Sequence, residues 1–169
     1  MEMLNRNSKE LGKRGDDAHR LISPARWMDC APAGRHAPSS SDCWKISTWN
    51  VRSLYQAGKL ANVTKEIIRM NIDVLGVSET YWKDTGDFRY QLSNNEDFRV
   101  IFAGGNEHRK GVAFVMRGIA KDSIINYSLK SERIIIVRLL SKPKNLLLCQ
   151  IYLPTTADSD EEIENFMKK

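Results

Sequence analysis

The sequence predicts an α/β protein built on a mixed sheet, and three observations predict it. Lys45–Arg52 and Asp73–Thr80 are short apolar runs that each close on one polar side chain, Asn50 and Glu79. Between them, Leu60, Val63, Ile67 and Met70 fall on one helical face of Gly58–Met70. Further on, Arg133–Leu140 and Leu146–Leu153 are apolar runs joined by Ser141-Lys142-Pro143-Lys144-Asn145, a hairpin by its turn chemistry. The first pair of strands needs parallel pairing and the second antiparallel.

Before these elements, Met1–Cys43 mixes both charges with Gly, Pro and Ser, and its apolar residues follow neither period. It reads as a disordered leader, with the folded domain spanning 44–169. The gaps between Cys30, His36 and Cys43 fit no paired zinc-ligand pattern. The strand, helix and strand that follow occupy about 35 residues, a βαβ unit whose right-handed crossover sets the strands side by side. Their carboxyl ends then point the same way, bringing Asn50 and Glu79 to one rim of the sheet, where ligands of open α/β sheets gather. A carboxylate and an amide oxygen are hard donors, suited to Mg²⁺ rather than zinc or copper.

Tyr81–Asp97 is polar and aromatic and reads as a long loop leaving that rim. Phe98–Ala103 is a strand, Gly104–Lys110 a turn, Gly111–Met116 the return strand, and Ser123–Leu129 one more. The two late apolar runs do not alternate, so both their faces should be covered. The strands suffice for roughly one sheet, with none left to form a partner for it. Ser159 and Glu162 have capping-box spacing, and Ile163, Phe166 and Met167 begin an apolar face. A helix this short needs tertiary packing to survive.

At 169 residues with 41% apolar content, the chain is long enough for one domain with a core. Its formal charge is +5, and Trp44–Lys169 holds 19 basic against 15 acidic side chains. That balance suits a phosphate-rich partner and is equally ordinary without one. Three scattered cysteines make no disulfide framework, and Cys149, inside an apolar run, is expected to be a buried thiol. No run approaches the ~18 apolar residues of a membrane span, and the amino terminus lacks the apolar core of a secretory signal. A nuclear or cytoplasmic location follows, with no membrane partner.

Four motifs stand in order here: Trp49-Asn50-Val51-Arg52; Gly76-Val77-Ser78-Glu79-Thr80 followed by Trp82; Gly111-Val112-Ala113-Phe114; and Gln150-Ile151-Tyr152-Leu153-Pro154-Thr155. Together they resemble the endonuclease/exonuclease/phosphatase superfamily. Within it, the chain is most similar to the endonuclease domain of non-LTR retrotransposons and the craniofacial development protein 2-like proteins derived from them. The resemblance runs from about Trp44 to Lys169 and covers the first half of the family's domain. It implies a DNase I-like fold, a four-layer α/β sandwich of two mixed sheets, here incomplete.

By resemblance, Glu79 holds the catalytic Mg²⁺, Asn50 orients the metal ligands or the scissile phosphate, and Tyr152 hydrogen-bonds the phosphate. As bare residues, the three also have plainer readings: an exposed Glu after a strand, an Asn ending a strand through a local turn, and a packed sheet tyrosine. Arg52 stands where DNA-repair relatives often carry an acid and the retrotransposon type accepts Arg, so phosphate contact and solvated charge both stay open. Arg109 and Lys110, with His108, form a basic hairpin tip that either meets a DNA backbone or is simply solvated.

Phosphodiester hydrolysis needs a base for the water, charge stabilisation of the transition state, and help for the leaving oxygen. The family supplies these from an Asp-x-Asn motif and a terminal Asp-His pair, and neither occurs in this sequence. The resemblance therefore implies a Mg²⁺-dependent enzyme that nicks DNA, present here as an amino-terminal half expected to be inactive alone and to hold Mg²⁺ weakly. The alternatives are a catalytically dead piece that binds nucleic acid or a protein, with self-association through unpaired sheet surface, or a phosphatase sharing Glu79 and the fold.

Overall fold

Two β-sheets face each other in the computed structural model, which describes residues 28–29, 43–92, 96–156 and 158–168. In chain order the elements are β1 (Met28–Asp29), β2 (Ile46–Asn50), α1 (Lys59–Arg69), β3 (Val74–Ser78), β4 (Thr85–Gln91) and β5 (Asp97–Ala103). There follow β6 (Val112–Arg117), α2 (Gly118–Asp122), β7 (Ile124–Ser131), β8 (Ile134–Leu139), β9 (Leu146–Ile151) and α3 (Asp160–Met167). The first sheet has the order β2-β3-β6-β5-β4 and the second β1-β7-β8-β9. The βαβ unit forms as expected, with β2 parallel to β3 from Ile46 opposite Val74 to Asn50 opposite Ser78. All other strand pairs are antiparallel.

Every residue of β3 is buried, because its two faces meet different layers. Val74 belongs to the core between the sheets, with Ile101, Phe114 and Met116 on one side and Ile124, Ile135, Val137 and Leu139 on the other. Leu75 and Val77 face the opposite way, toward Ile67 of α1, with Val100 and Val115 beside them. A strand buried on both faces has no reason to alternate, which is why Val74–Val77 reads as one apolar run. Each fully buried Ile or Val contributes about 1.5–3 kcal/mol over its exposed state.

Three expectations are corrected. Tyr81–Asp97 is not a loop throughout, because Thr85–Gln91 pairs along its whole length with β5. As an edge strand it carries polar residues, and Asp87 bonds Arg99 across the pair at 2.7 Å while Trp82, Phe88 and Phe102 cluster. Secondly, the strands form two sheets, not one: β7, β8 and β9 leave the first sheet and build a partner for it. Thirdly, β8 and β9 are covered on one face only. Leu147 and Ile151 stand 56% and 46% exposed, and Cys149 between them is an exposed free thiol, not a buried one. Within the stretch read as a leader, the two described residues Met28–Asp29 pair with β7. The rest of that stretch up to residue 42, including Cys30 and His36, lies outside the described residues.

The last helix starts where the capping residues place it. Ser159 Oγ accepts the Glu162 N–H at 3.3 Å, and Asp160, Glu161 and Glu162 occupy the first turn, where the helix dipole favours them. The Glu162 carboxylate reaches Lys110 Nζ at 2.6 Å, which supplies a tertiary anchor for this short helix.

Candidate functional site

The rim begins where β2 and β3 end. Pairing continues past both strands through Val51 N–H to Ser78 O, Ser53 N–H to Glu79 O and Leu54 N–H to Thr80 O. The two exits are thereby fastened together, and Asn50 and Glu79 are brought into contact. Asn50 Nδ2 donates to Glu79 Oε1 at 2.5 Å, while Asn50 Oδ1 accepts the Arg52 N–H at 3.1 Å. Tyr152, just beyond β9, donates from Oη to the same Glu79 oxygen at 3.2 Å. The three residues singled out from the sequence thus meet, with the carboxylate at the centre.

Tyr81 is a fourth member that the sequence reading missed. Its hydroxyl donates to Glu79 Oε2 at 3.3 Å. A tyrosine two residues after a strand-end glutamate carries no pattern of its own, and the contact arises from the backbone. Glu79, Tyr81 and Asp84 all have left-handed φ values, 59°, 58° and 59°, and so do Arg52 and Ser53 at 46° and 91°. Such conformations cost roughly 1 kcal/mol or more each in non-glycine residues and persist where surrounding structure imposes them.

The imposing contacts come from the hairpin turn and from Gly111. Thr80 N–H bonds Gly111 O, Tyr81 N–H bonds Lys110 O, and Gly111 N–H bonds Glu132 O. Gly111 has φ 105°, and a β-carbon there would stand 2.2 Å from Thr80 Oγ1, so the segment carrying Glu79 requires this glycine. His108 Nδ1 donates to Tyr81 O at 2.7 Å, and its ring lies tilted against Tyr55 with the centroids 4.2 Å apart.

Tyr152 is held from behind by Arg133, a buried cation that the sequence reading counted only as the start of an apolar run. The guanidinium lies 5.1 Å from the Tyr152 ring centroid and pairs with Asp158 at 2.5 Å. Asp158 in turn accepts from Thr155 N–H at 2.7 Å and from the Thr155 hydroxyl, closing the Pro154–Thr155 turn. These contacts, the Thr155 amide foremost, hold the Asp158 carboxyl down to about 2. A polar cleft of about 640 Å³ opens beside this clamp, with Tyr81, Tyr152, Arg109, Lys110 and Arg133 in its wall.

Burial raises the pKa of Tyr81 and of Tyr152, and the Glu79 charge and hydrogen bond add to it. Both phenols therefore stay protonated and remain donors to the carboxylate. The basic residues divide. Lys110 is spent on Glu132 and Glu162, Arg109 is exposed with Glu107 at 3.5 Å, and Arg52 is exposed beside Tyr81.

A carboxylate offers about four acceptor positions. Glu79 uses two on Oε1 and one on Oε2, which leaves one open on Oε2. That single hard donor fits a Mg²⁺ ion whose shell is otherwise water. The Asn50 oxygen already has its N–H partner. Among the described residues, no group of three His, Cys, Asp or Glu side chains gathers to hold a metal, and no helix is long and apolar enough to cross a membrane.

The chain is similar to craniofacial development protein 2 of Bos taurus, with 38% identity over 122 residues, 72% of this chain and 20% of that protein. It is similar at 37% to craniofacial development protein 2 of Tragulus javanicus, over the same length and shares. No family model matches. The chain spans about a fifth of the length of the curated relatives it matches.

Proposed function

We propose that this chain supplies the carboxylate side of a Mg²⁺-dependent, DNase I-like DNA endonuclease site of the non-LTR retrotransposon type. The observation that carries the reading is the convergence of Asn50, Tyr81 and Tyr152 on Glu79. Donors from three segments fix one carboxylate in place and leave one acceptor position on it. Mg²⁺, when bound, would neutralise charge on a phosphodiester.

The chain's own residues bind and orient. Asn50 and Tyr81 hold Glu79, Arg133 holds Tyr152, and Tyr152 lines the cleft while its hydroxyl reaches the carboxylate, so a phosphate oxygen entering there can compete for that hydrogen bond. Arg52 and Arg109 are exposed cations at the same rim, suited to backbone phosphates. The base for the attacking water and the cation for the leaving oxygen are not among the groups gathered here. His108, the histidine among the described residues, is committed to Tyr81 O.

The test grafts residues 44–169 in place of the matching segment of the Bos taurus relative and asks whether the chimaera nicks supercoiled plasmid in Mg²⁺. Nicking that EDTA and Glu79→Gln both abolish is expected. Nicking by the unaltered relative that the chimaera does not share would overturn the assignment of Glu79. Absence of nicking by both would overturn the endonuclease reading itself.

A further inference from the structure

We infer that Tyr81 is a latch on the site: its hydroxyl occupies Glu79 while no cation is bound and turns to the phosphodiester once one is. This latch rests on the reading of Glu79 as the Mg²⁺ ligand, and it couples that ion to the substrate. Two phenols converge on the carboxylate, one on each oxygen. Tyr152 Oη donates to Oε1 at 3.2 Å and Tyr81 Oη to Oε2 at 3.3 Å. Both tyrosines line the polar cleft. A phosphodiester entering there likewise presents a pair of unbridged oxygens.

The two phenols are not equivalent. Oε1 also carries Asn50 Nδ2 at 2.5 Å, whereas Oε2 holds, among the described residues, the Tyr81 hydroxyl alone. Oε2 is therefore the oxygen with room for a cation, and Tyr81 is the donor that competes for it. At 3.3 Å that hydrogen bond is well beyond the ~2.5–2.7 Å of a strong hydroxyl–carboxylate bond, so giving it up costs little. A cation and a hydroxyl proton on one oxygen repel each other, and the proton turns away.

Nothing but the hydroxyl has to move. The Tyr81 backbone is pinned at φ 58° by its N–H to Lys110 O at 2.8 Å and by His108 Nδ1, which donates to its carbonyl at 2.7 Å. The ring stays at the cleft wall, and rotation about the C–O bond redirects the proton. Without a cation, a phosphate entering the cleft meets the Glu79 charge and finds the Tyr81 donor occupied. With one, the charge is offset and the donor is released toward the phosphate. Ion and phosphodiester therefore bind cooperatively, and the coupling is reciprocal.

Tyrosine-sensitised Tb³⁺ luminescence of the full chain, competed by Mg²⁺, tests the latch, with midpoints read because Tyr81→Phe removes one sensitiser. Tyr81→Phe should tighten ion binding about threefold, while Tyr152→Phe, on the other oxygen, shifts it less. A merely structural Tyr81 predicts the opposite sign, since a loosened Glu79 binds the ion less well. Anisotropy of a labelled DNA duplex at fixed ionic strength supplies the second arm. Mg²⁺ should raise DNA affinity about tenfold in the full chain and leave it unchanged in Tyr81→Phe. Ion binding unaltered or weakened in Tyr81→Phe, no Mg²⁺ gain in DNA affinity, or an equal gain with and without the hydroxyl would each overturn the latch alone. Ion binding that Glu79→Gln leaves undiminished would instead overturn the reading of Glu79 on which the latch rests.

Discussion

Tyr152 Oη donates to Glu79 Oε1 over 3.2 Å, tying the exit of β9 in one sheet to the exit of β3 in the other. A hydrogen bond to a charged group at a half-exposed site stabilises by about 1 kcal/mol. Tyr152→Phe is therefore expected to lower the melting temperature by roughly 3–5 °C. Arg133→Met, which leaves Asp158 without its cation in a buried setting, should cost at least twice as much. Equal losses in thermal melts would contradict the view that Arg133 is the deeper of the two supports.

Metal binding should be weak and depend on one side chain. With Glu79 as the single carboxylate ligand, Mg²⁺ is expected to saturate only at concentrations on the order of millimolar. Tb³⁺ luminescence sensitised by Tyr81 and Tyr152 offers a direct readout, competed away by Mg²⁺. Glu79→Gln should abolish it and Asn50→Ala should weaken it, whereas undiminished signal in Glu79→Gln would place the ion elsewhere.

The chain alone should not relax plasmid DNA in Mg²⁺. Each missing acid–base or charge-stabilising group typically contributes 10²–10⁴-fold, so the combined deficit takes the rate below detection. Relaxation abolished by both EDTA and Glu79→Gln would show that the residues gathered around Glu79 suffice.

Two glycine substitutions should separate crowding from backbone preference. A β-carbon on Gly104 would stand 1.9 Å from the Trp82 carbonyl oxygen, whereas nothing lies within 4 Å of one on Gly58, whose φ is 82°. Gly58→Ala should cost about 1 kcal/mol, the left-handed penalty alone. Gly104→Ala forces the Trp82–Asp84 backbone to move and should cost more than 2 kcal/mol by denaturant titration. It should also disturb the Tyr81 contact with Glu79, visible as altered tyrosine fluorescence.

The anchoring of α3 should fail at both extremes of pH. Asp158 is held at about 2, below its unfolded value, so its contribution is present above about pH 4 and is lost as the pH falls toward 2. For Lys110, burial alone would lower the pKa, but hydrogen bonds to Glu162 and Glu132 outweigh it and raise it. Its contribution is present below about pH 10 and is lost as the pH rises further. Amide exchange of Ile163–Phe166 should therefore accelerate at both ends, and Asp158→Asn should remove the acid dependence while sparing the alkaline one.

The βαβ unit was legible because its signals are local: a helical stripe, two apolar runs, and a crossover of fixed hand. The meeting of Asn50 and Glu79 follows from that topology, and Tyr152 joins them through a resemblance in motifs rather than through any periodicity. What stayed hidden depends on partners far away in sequence. β4 alternates too little to announce itself, since as an end strand it has five of its seven residues exposed and none buried. The division into two sheets rests on which strands exchange hydrogen bonds, a choice that Ile134–Leu139 and Leu146–Ile151 would read identically in either sheet. Cys149 was misplaced because an apolar run on an end strand looks the same as one in a core. Arg133 and Tyr81 act through tertiary contacts that single-residue patterns do not encode.

The left-handed residues along the rim set the fold and its chemistry at odds. Glycine or asparagine would adopt the backbone of Arg52, Ser53, Glu79, Tyr81 or Asp84 at lower cost than the residues present. A screen that rewards heat resistance alone would enrich such replacements and, at Glu79 and Tyr81, erase the carboxylate and its donor. The same bias acts on a gene relieved of selection for activity. Random change there meets least resistance at the very positions where a working site would forbid it, so drift would blunt this rim while leaving the sandwich beneath it sturdier.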